Sequence, residues 1–253
     1  MDIALYDIKG KLMGQPLYKV LGGSVNQIVT DMTVGIDTPE AMAAEARERV
    51  EKDGFTILKI KAGINPREDI QALTLIRQAV GPNIRLRVDA NQGYTVSDAV
   101  RTLKAFEELG VEAVEQCLPS WDLDGMRFVR SKVDLKVMLD ESIHTPIDAA
   151  KACKIDAADI INIKLMKCGG LYPAERSTPL RGKPCTVHGG LHAGDQGGHC
   201  CRCESGCRQA EHHRGGLRQL YVRRGPRDGY ARRFCREWRR LHPVRQAGPW
   251  HRY

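Results

Sequence analysis

Five residues able to do chemistry recur at nearly constant spacing: Lys61, Asp89, Glu115, Asp140 and Lys164, separated by 28, 26, 25 and 24 residues. Each stands at or beside the C-terminal end of a short run rich in β-branched and aliphatic residues. Those runs, at 56–61, 84–89, 111–115, 135–140 and 160–165, follow a first one at 28–34, and all read as strands. Between them, apolar spacing predicts helices over 39–53, 69–80, 96–109, 125–132 and 147–154. Gly54, Gly81-Pro82 and Gly110 follow the first three, where helices end. Strand–helix–strand repetition requires a parallel sheet with right-handed crossovers. A (β/α)8 barrel brings the C-terminal ends of its strands to one mouth. The expected fold class is therefore α/β, a (β/α)8 barrel of which this sequence supplies about six strands.

Asp89, Glu115 and Asp140 come from three successive strands, so their carboxylates are expected in one place. Hard anionic oxygens suit a hard cation. Magnesium fits best, because it keeps coordination positions for water and substrate. A lone acid in Asp89-Ala90-Asn91 or Asp140-Glu141-Ser142 also reads as a helix cap or a solvated loop residue. Three in register with two lysines point to a site instead. Lys59 and Lys61 flank Ile60 and so share one face of their strand. Burying two ammonium groups is costly unless anions compensate. A lysine beside another cation and a metal is expected to have a lowered pKa, fit for use as a base. Lys164 ends another apolar strand, Lys167 opens the loop after it, and Gly169-Gly170 reads as a turn.

Taken together, Lys59-Ile60-Lys61, Asp89-Ala90-Asn91, Val114-Glu115-Gln116, Asp140-Glu141-Ser142 and Asn162-Ile163-Lys164 resemble the enolase superfamily, muconate-lactonizing subgroup, over about residues 1–175. The resemblance implies that Asp89, Glu115 and Asp140 hold Mg2+. It makes Lys61 and Lys164 the acid/base pair on opposite faces of the substrate. Lys59, Asn91, Glu141 and Lys167 would support them or touch the substrate. Members of this superfamily remove the α-proton of a carboxylate through an enediolate. The stretch Lys164-Leu165-Met166-Lys167-Cys168-Gly169-Gly170-Leu171 is similar to dipeptide epimerases of the L-Ala-D/L-Glu type. Muconate cycloisomerases and o-succinylbenzoate synthases or N-acylamino-acid racemases share the lysine pair and stay as alternatives. Met1 to Lys11 resembles the last helix of the family's α+β capping domain, the rest of which would precede residue 1.

Composition changes near residue 175. Residues 176–253 hold 17 Lys and Arg, 16 of them Arg, against 5 acids, whereas residues 1–175 hold 22 against 26. The net charge of +8 thus averages two unlike parts. The later part also carries six of nine Cys and seven of eight His, with no Ile, Met or Asn. Clustered arginines suit nucleic-acid phosphates, and Cys185, His188, Cys200, Cys203, Cys207, His212 and His213 suit zinc. Against both, the segment has no repeated CxxC pair, no nucleic-acid-binding motif and no apolar periodicity. The genetic code offers a third reading. Back-translated and moved by one base, residues 192–199 permit Met-Leu-Glu-Thr-Arg-Val-Ala-Ile. Residues 219–233 likewise permit Ser-Phe-Met, one free residue, then Ala-Glu-Asp-Pro-Glu-Met-Gly-Met-Pro-Gly. The missing residue types return together, so the chain reads as out of frame from about Arg176.

The expected division is the end of a capping domain at 1–23, a partial barrel at 24–175, and a poorly ordered out-of-frame tail at 176–253. The expected partner is a small-molecule carboxylate, with no nucleic acid. No membrane is expected, since no window approaches the apolar length of a span. Met1 to Gly10 carries acids and lacks the apolar core of a signal peptide, which predicts a cytoplasmic protein. For intact relatives the resemblance implies homo-oligomers. The chain as written is expected to be inactive; the non-enzyme alternatives are an inactive fragment and a basic nucleic-acid-binding protein.

Overall fold

Helix starts are dictated locally. Thr38, Asn65, Thr95, Asp122 and Thr145 each accept a backbone N–H of the turn that follows, and Pro39, Pro66 and Pro146 occupy first helical positions. The helices so begun are α3 (Pro39–Glu51), α4 (Pro66–Val80), α5 (Val96–Glu108), α6 (Leu123–Arg130) and α7 (Pro146–Lys154), preceded by α1 (Asp2–Leu12) and α2 (Leu17–Val20). They alternate with β1 (Met32–Val34), β2 (Ile57–Lys61), β3 (Arg85–Asp89), β4 (Val111–Glu115), β5 (Lys136–Leu139) and β6 (Ile160–Ile163). The structure, a computed structural model, describes residues 1–24 and 29–177 and the backbone of a further strand, β7 (Thr186–Gly189). The chain forms two units, Met1–Val222 and Arg223–Tyr253, and every described residue lies in the first.

The strands make one parallel sheet in chain order, β1 to β7, the arrangement of a (β/α)8 barrel wall. The outer faces of β2 and β3 send Leu58, Ile60, Leu86 and Val88 against Leu73 and Ile76 of α4 and Leu103 and Phe106 of α5, all fully buried. The opposite face of the same strands carries Lys59, Lys61, Arg87 and Asp89. One sheet face therefore builds the core and the other builds the site.

Two expectations change. β6 ends at Ile163, and Lys164 opens a single helical turn, α8 (Leu165–Cys168), so Lys167 lies on a helix and not at the start of a loop. Gly169 closes α8 at φ +91°, and Gly170 follows at φ +136°, where a Cβ would meet the Asp2 carboxylate at 2.4 Å; the glycine turn is as expected. Asp2 accepts from the Leu171 N–H at 2.6 Å, which ties α1 to α9 (Leu171–Arg176). The second change is β7. It lies inside the segment expected to lack regular structure and pairs with β6 from Ile160↔Thr186 to Ile163↔Gly189. Thr186 and Val187 are β-branched and stand beside a buried strand with an edge free to pair, which favours extension of the sheet. Residues 178–185 and 190–253, including Cys185, Cys200, Cys203, Cys207, His212 and His213, lie outside the described residues. Among the described residues no helix is long and apolar enough to cross a membrane.

Candidate active site

Register brings the chemical residues together. Lys61 pairs with Asp89, and Asp89 with Glu115, so three strand ends stand in one row. A bulge makes this possible. Leu86 pairs with Val111, but Arg87 pairs with Ala113, leaving Glu112 as the extra residue. Without that extra residue Glu115 would fall out of register with Asp89 and turn to the helix side. Glu112 then accepts from Arg85 at 2.7 Å and from Arg87. Asp140 follows the last residue of β5, and Lys164 the last of β6.

All nine residues picked out in the sequence fall on this end of the sheet. Lys59 reaches Glu115 at 2.5 Å and Asp89 at 3.2 Å. Lys61 reaches Asp89 at 2.9 Å and donates to the Asn91 carboxamide at 2.5 Å. Asn91 in turn donates to Glu141 at 3.0 Å. Lys164 and Lys167 both pair with Asp140, one on each carboxylate oxygen. The three acid side chains are almost wholly buried, at 1–2% exposure. Each acid thus faces at least one ammonium group, and Asp89 and Glu115 also accept from the Asn91 N–H at 3.2 Å and the Asn162 carboxamide at 2.7 Å. Among the described residues no three His, Cys, Asp or Glu side chains are gathered tightly enough to enclose a metal ion, because the lysines interleave with the acids.

The electrostatics follow from burial and crowding. Burial pushes the Glu115 carboxyl up to about 7; Lys59 opposes this, while Asp89 and Asp140 reinforce it. Asp140 goes the other way: burial would raise it, but Lys167 and Lys164 bring it down to about 2. Lys59 is held in its charged form. Burial does work against its charge, yet Glu115 and Asp89 more than offset that and hold it above its ordinary value.

The donor set fits a hard divalent cation. It offers three mutually repelling carboxylates, and two more buried oxygens, Glu141 Oε2 and Asn162 Oδ1, have no hydrogen-bond donor. Buried acceptors are normally satisfied, and a hydrated cation among these acids would satisfy them. Asn162, part of the Asn162-Ile163-Lys164 motif but given no role in the sequence, is fully buried and donates to Glu115 at 2.7 Å. Gln116 likewise entered only as a motif neighbour of Glu115, and Tyr94 and Asp69 were not singled out. Tyr94 donates to Asp69 at 2.7 Å, and Asp69 also accepts from the Gly63 N–H at 3.0 Å.

A parallel strand–helix wall with acids and lysines collected at the C-terminal strand ends defines the class of (β/α)8-barrel proteins with a mouth site. The chain belongs to the enolase C-terminal domain-like family, whose profile matches residues 41–198. It is 46% identical over 176 residues to the L-Ala-D/L-Glu epimerase of Clostridium acetobutylicum, covering 69% of this chain and 49% of the relative. It is 47% identical over 174 residues to the hydrophobic dipeptide epimerase of Enterococcus faecalis, again covering 69% and 49%. The crystal structure of the Enterococcus faecalis dipeptide epimerase with Mg and L-Leu-L-Tyr superposes with a TM-score of 0.68 at 46% identity, covering 70% of this chain and 49% of that one. The chain spans about half the length of the curated relatives it matches.

Proposed function

We propose that these residues are the acid/base and metal half of a magnesium-dependent epimerase that inverts the α-carbon of a small carboxylate substrate, a dipeptide of the L-Ala-L-Glu kind. The observation that carries this reading is the placement of two lysines at opposite ends of one row of acids. Lys61 is anchored on Asp89, Lys164 is anchored on Asp140, and Glu115 stands between. Asp89, Glu115 and Asp140 would hold Mg2+, which when bound supplies positive charge for the substrate carboxylate and for negative charge that develops there. One lysine takes the α-proton and the other returns a proton to the opposite face, which inverts the centre. Lys59 and Lys167 neutralise the acids from behind, and Asn91 with Glu141 fixes the head of Lys61. The kinship with dipeptide epimerases supports the substrate class.

The test replaces the matching stretch of the full-length Enterococcus faecalis epimerase with residues 1–176 of this chain. In deuterated buffer with Mg2+, the hybrid is expected to exchange the α-proton of L-Ala-L-Glu or L-Leu-L-Tyr, read by proton NMR. Lys61→Ala and Lys164→Ala are each expected to abolish it. A hybrid that folds but exchanges neither substrate, or one indifferent to both lysines, overturns the reading. With residues from about 176 onward read out of frame, the 253-residue chain alone is expected to give no exchange. Exchange by that chain would refute the frame reading.

A further inference from the structure

Gln116 is neutral, fully buried and in a conformation that side chains rarely adopt, with φ +39°. Such backbone strain persists only where surroundings over-determine it. Here they do. Its side-chain oxygen accepts from the Asp140 N–H at 3.0 Å and the Ser142 N–H at 3.2 Å, and its side-chain nitrogen donates to the Leu118 carbonyl at 3.0 Å and to Ser142 Oγ at 2.9 Å. Two backbone N–H donors fix which end of the carboxamide is oxygen. The main chain is used as fully: the Gln116 N–H donates to the Met138 carbonyl at 2.9 Å, and the Gln116 carbonyl accepts from the Gln92 N–H at 2.7 Å. Six hydrogen bonds therefore meet at one residue. They join the loop after β3, the end of β4, and both sides of Asp140 at the end of β5. The residue before it is Glu115.

We infer that Gln116 is a positioning residue: its carboxamide sets the height and direction of Asp140 relative to Glu115, and so the spacing of the acid row. The inference deepens the proposed function and rests on it for what the acid row does. Leaving the Asp140 and Ser142 N–H groups unpaired in a buried site would let that loop drift to recover hydrogen bonds elsewhere.

The test uses the 253-residue chain and two variants. Gln116→Met keeps length and bulk without the hydrogen bonds, and Gln116→Gly relieves the strained φ while removing the side chain. Amide hydrogen exchange at Asp140 and Ser142 is measured together with Mn2+ affinity, read from the electron paramagnetic resonance signal of the free ion. Both variants are expected to exchange these two amides at least tenfold faster and to bind Mn2+ at least tenfold more weakly. Glycine is expected to do no better than methionine. Unchanged exchange, or Mn2+ affinity that survives faster exchange, overturns the proposal, as does recovery of Mn2+ binding by the glycine variant. A parent chain that takes up no Mn2+ would sink the metal part of the proposed function. Faster exchange in the variants would still support the tie between Gln116 and Asp140.

Discussion

At the residue scale, the loops of the mouth are pressed against and bonded to each other. A Cβ on Gly63 would stand 2.1 Å from the Ala90 carbonyl oxygen, and one on Gly93 would stand 1.8 Å from that of Gly63. Only glycine permits this approach of the loops after β2 and β3, the loops that follow Lys61 and Asp89. Tyr94 and Asp69 lock it from behind. Burial raises the Asp69 carboxyl, which the Tyr94 hydroxyl and the Gly63 N–H partly offset. Tyr94→Phe leaves this buried carboxylate with one donor fewer. Unfolding in urea is expected to show a loss of about 1–3 kcal/mol, and the loss should grow on the alkaline side of the Asp69 titration, where the unaided charge must stay buried. A variant as stable as the parent would mean the pair is idle.

At the element scale, the β3–β4 bulge does two things at once: it sets Glu115 beside Asp89 and leaves Glu112 between two arginines. Burial pushes the Glu112 carboxyl up, but Arg85 and Arg87 prevail, so its folded pKa lies below the ordinary 4.5. A depressed carboxyl contributes stability that is fully present above the unfolded pKa and is lost as pH falls through the folded one. Glu112→Gln should therefore flatten the fall in stability as pH drops below the ordinary 4.5, read as melting midpoint against pH. An unchanged acid limb would show that the bulge holds without the ion pair. Helix placement at this scale was largely legible, since caps, prolines and apolar spacing are local. The bulge was not, because an extra residue in one strand is defined only by its partner. The same holds for α8, where the sequence around Lys164 and Leu165 looks as much like strand as helix.

For the whole molecule, binding to the folded state alone raises stability by mass action. Mg2+ at about a hundredfold over its Kd is expected to add roughly 2.7 kcal/mol to the described fold, seen as an upward shift in melting midpoint. Asp89→Asn should remove the shift. A shift that survives this change would place the ion elsewhere. One chemically capable residue per strand–helix unit leaves few architectures, so the barrel wall was legible in the sequence. β7 was not. A Thr-Val strand inside an arginine-rich segment has no pattern of its own and is recognisable only against the edge of β6.

What the sequence determined by itself was the alternation of strands and helices up to β6, the parallel sheet, and the nine residues at its C-terminal end. The elements and the five repeating residues depend on neighbours in the chain, through caps, turns and a repeat of about one unit per chemical residue, while Asn91 and Glu141 were marked by the family resemblance alone. The tertiary structure alone decided which lysine sits on which acid and which neutral residues hold them there. Register across strands, the Glu112 bulge and the closed hydrogen bonding of Gln116 arise between residues far apart in sequence. Their energies depend on burial and on distances of a few ångströms, which no linear pattern encodes.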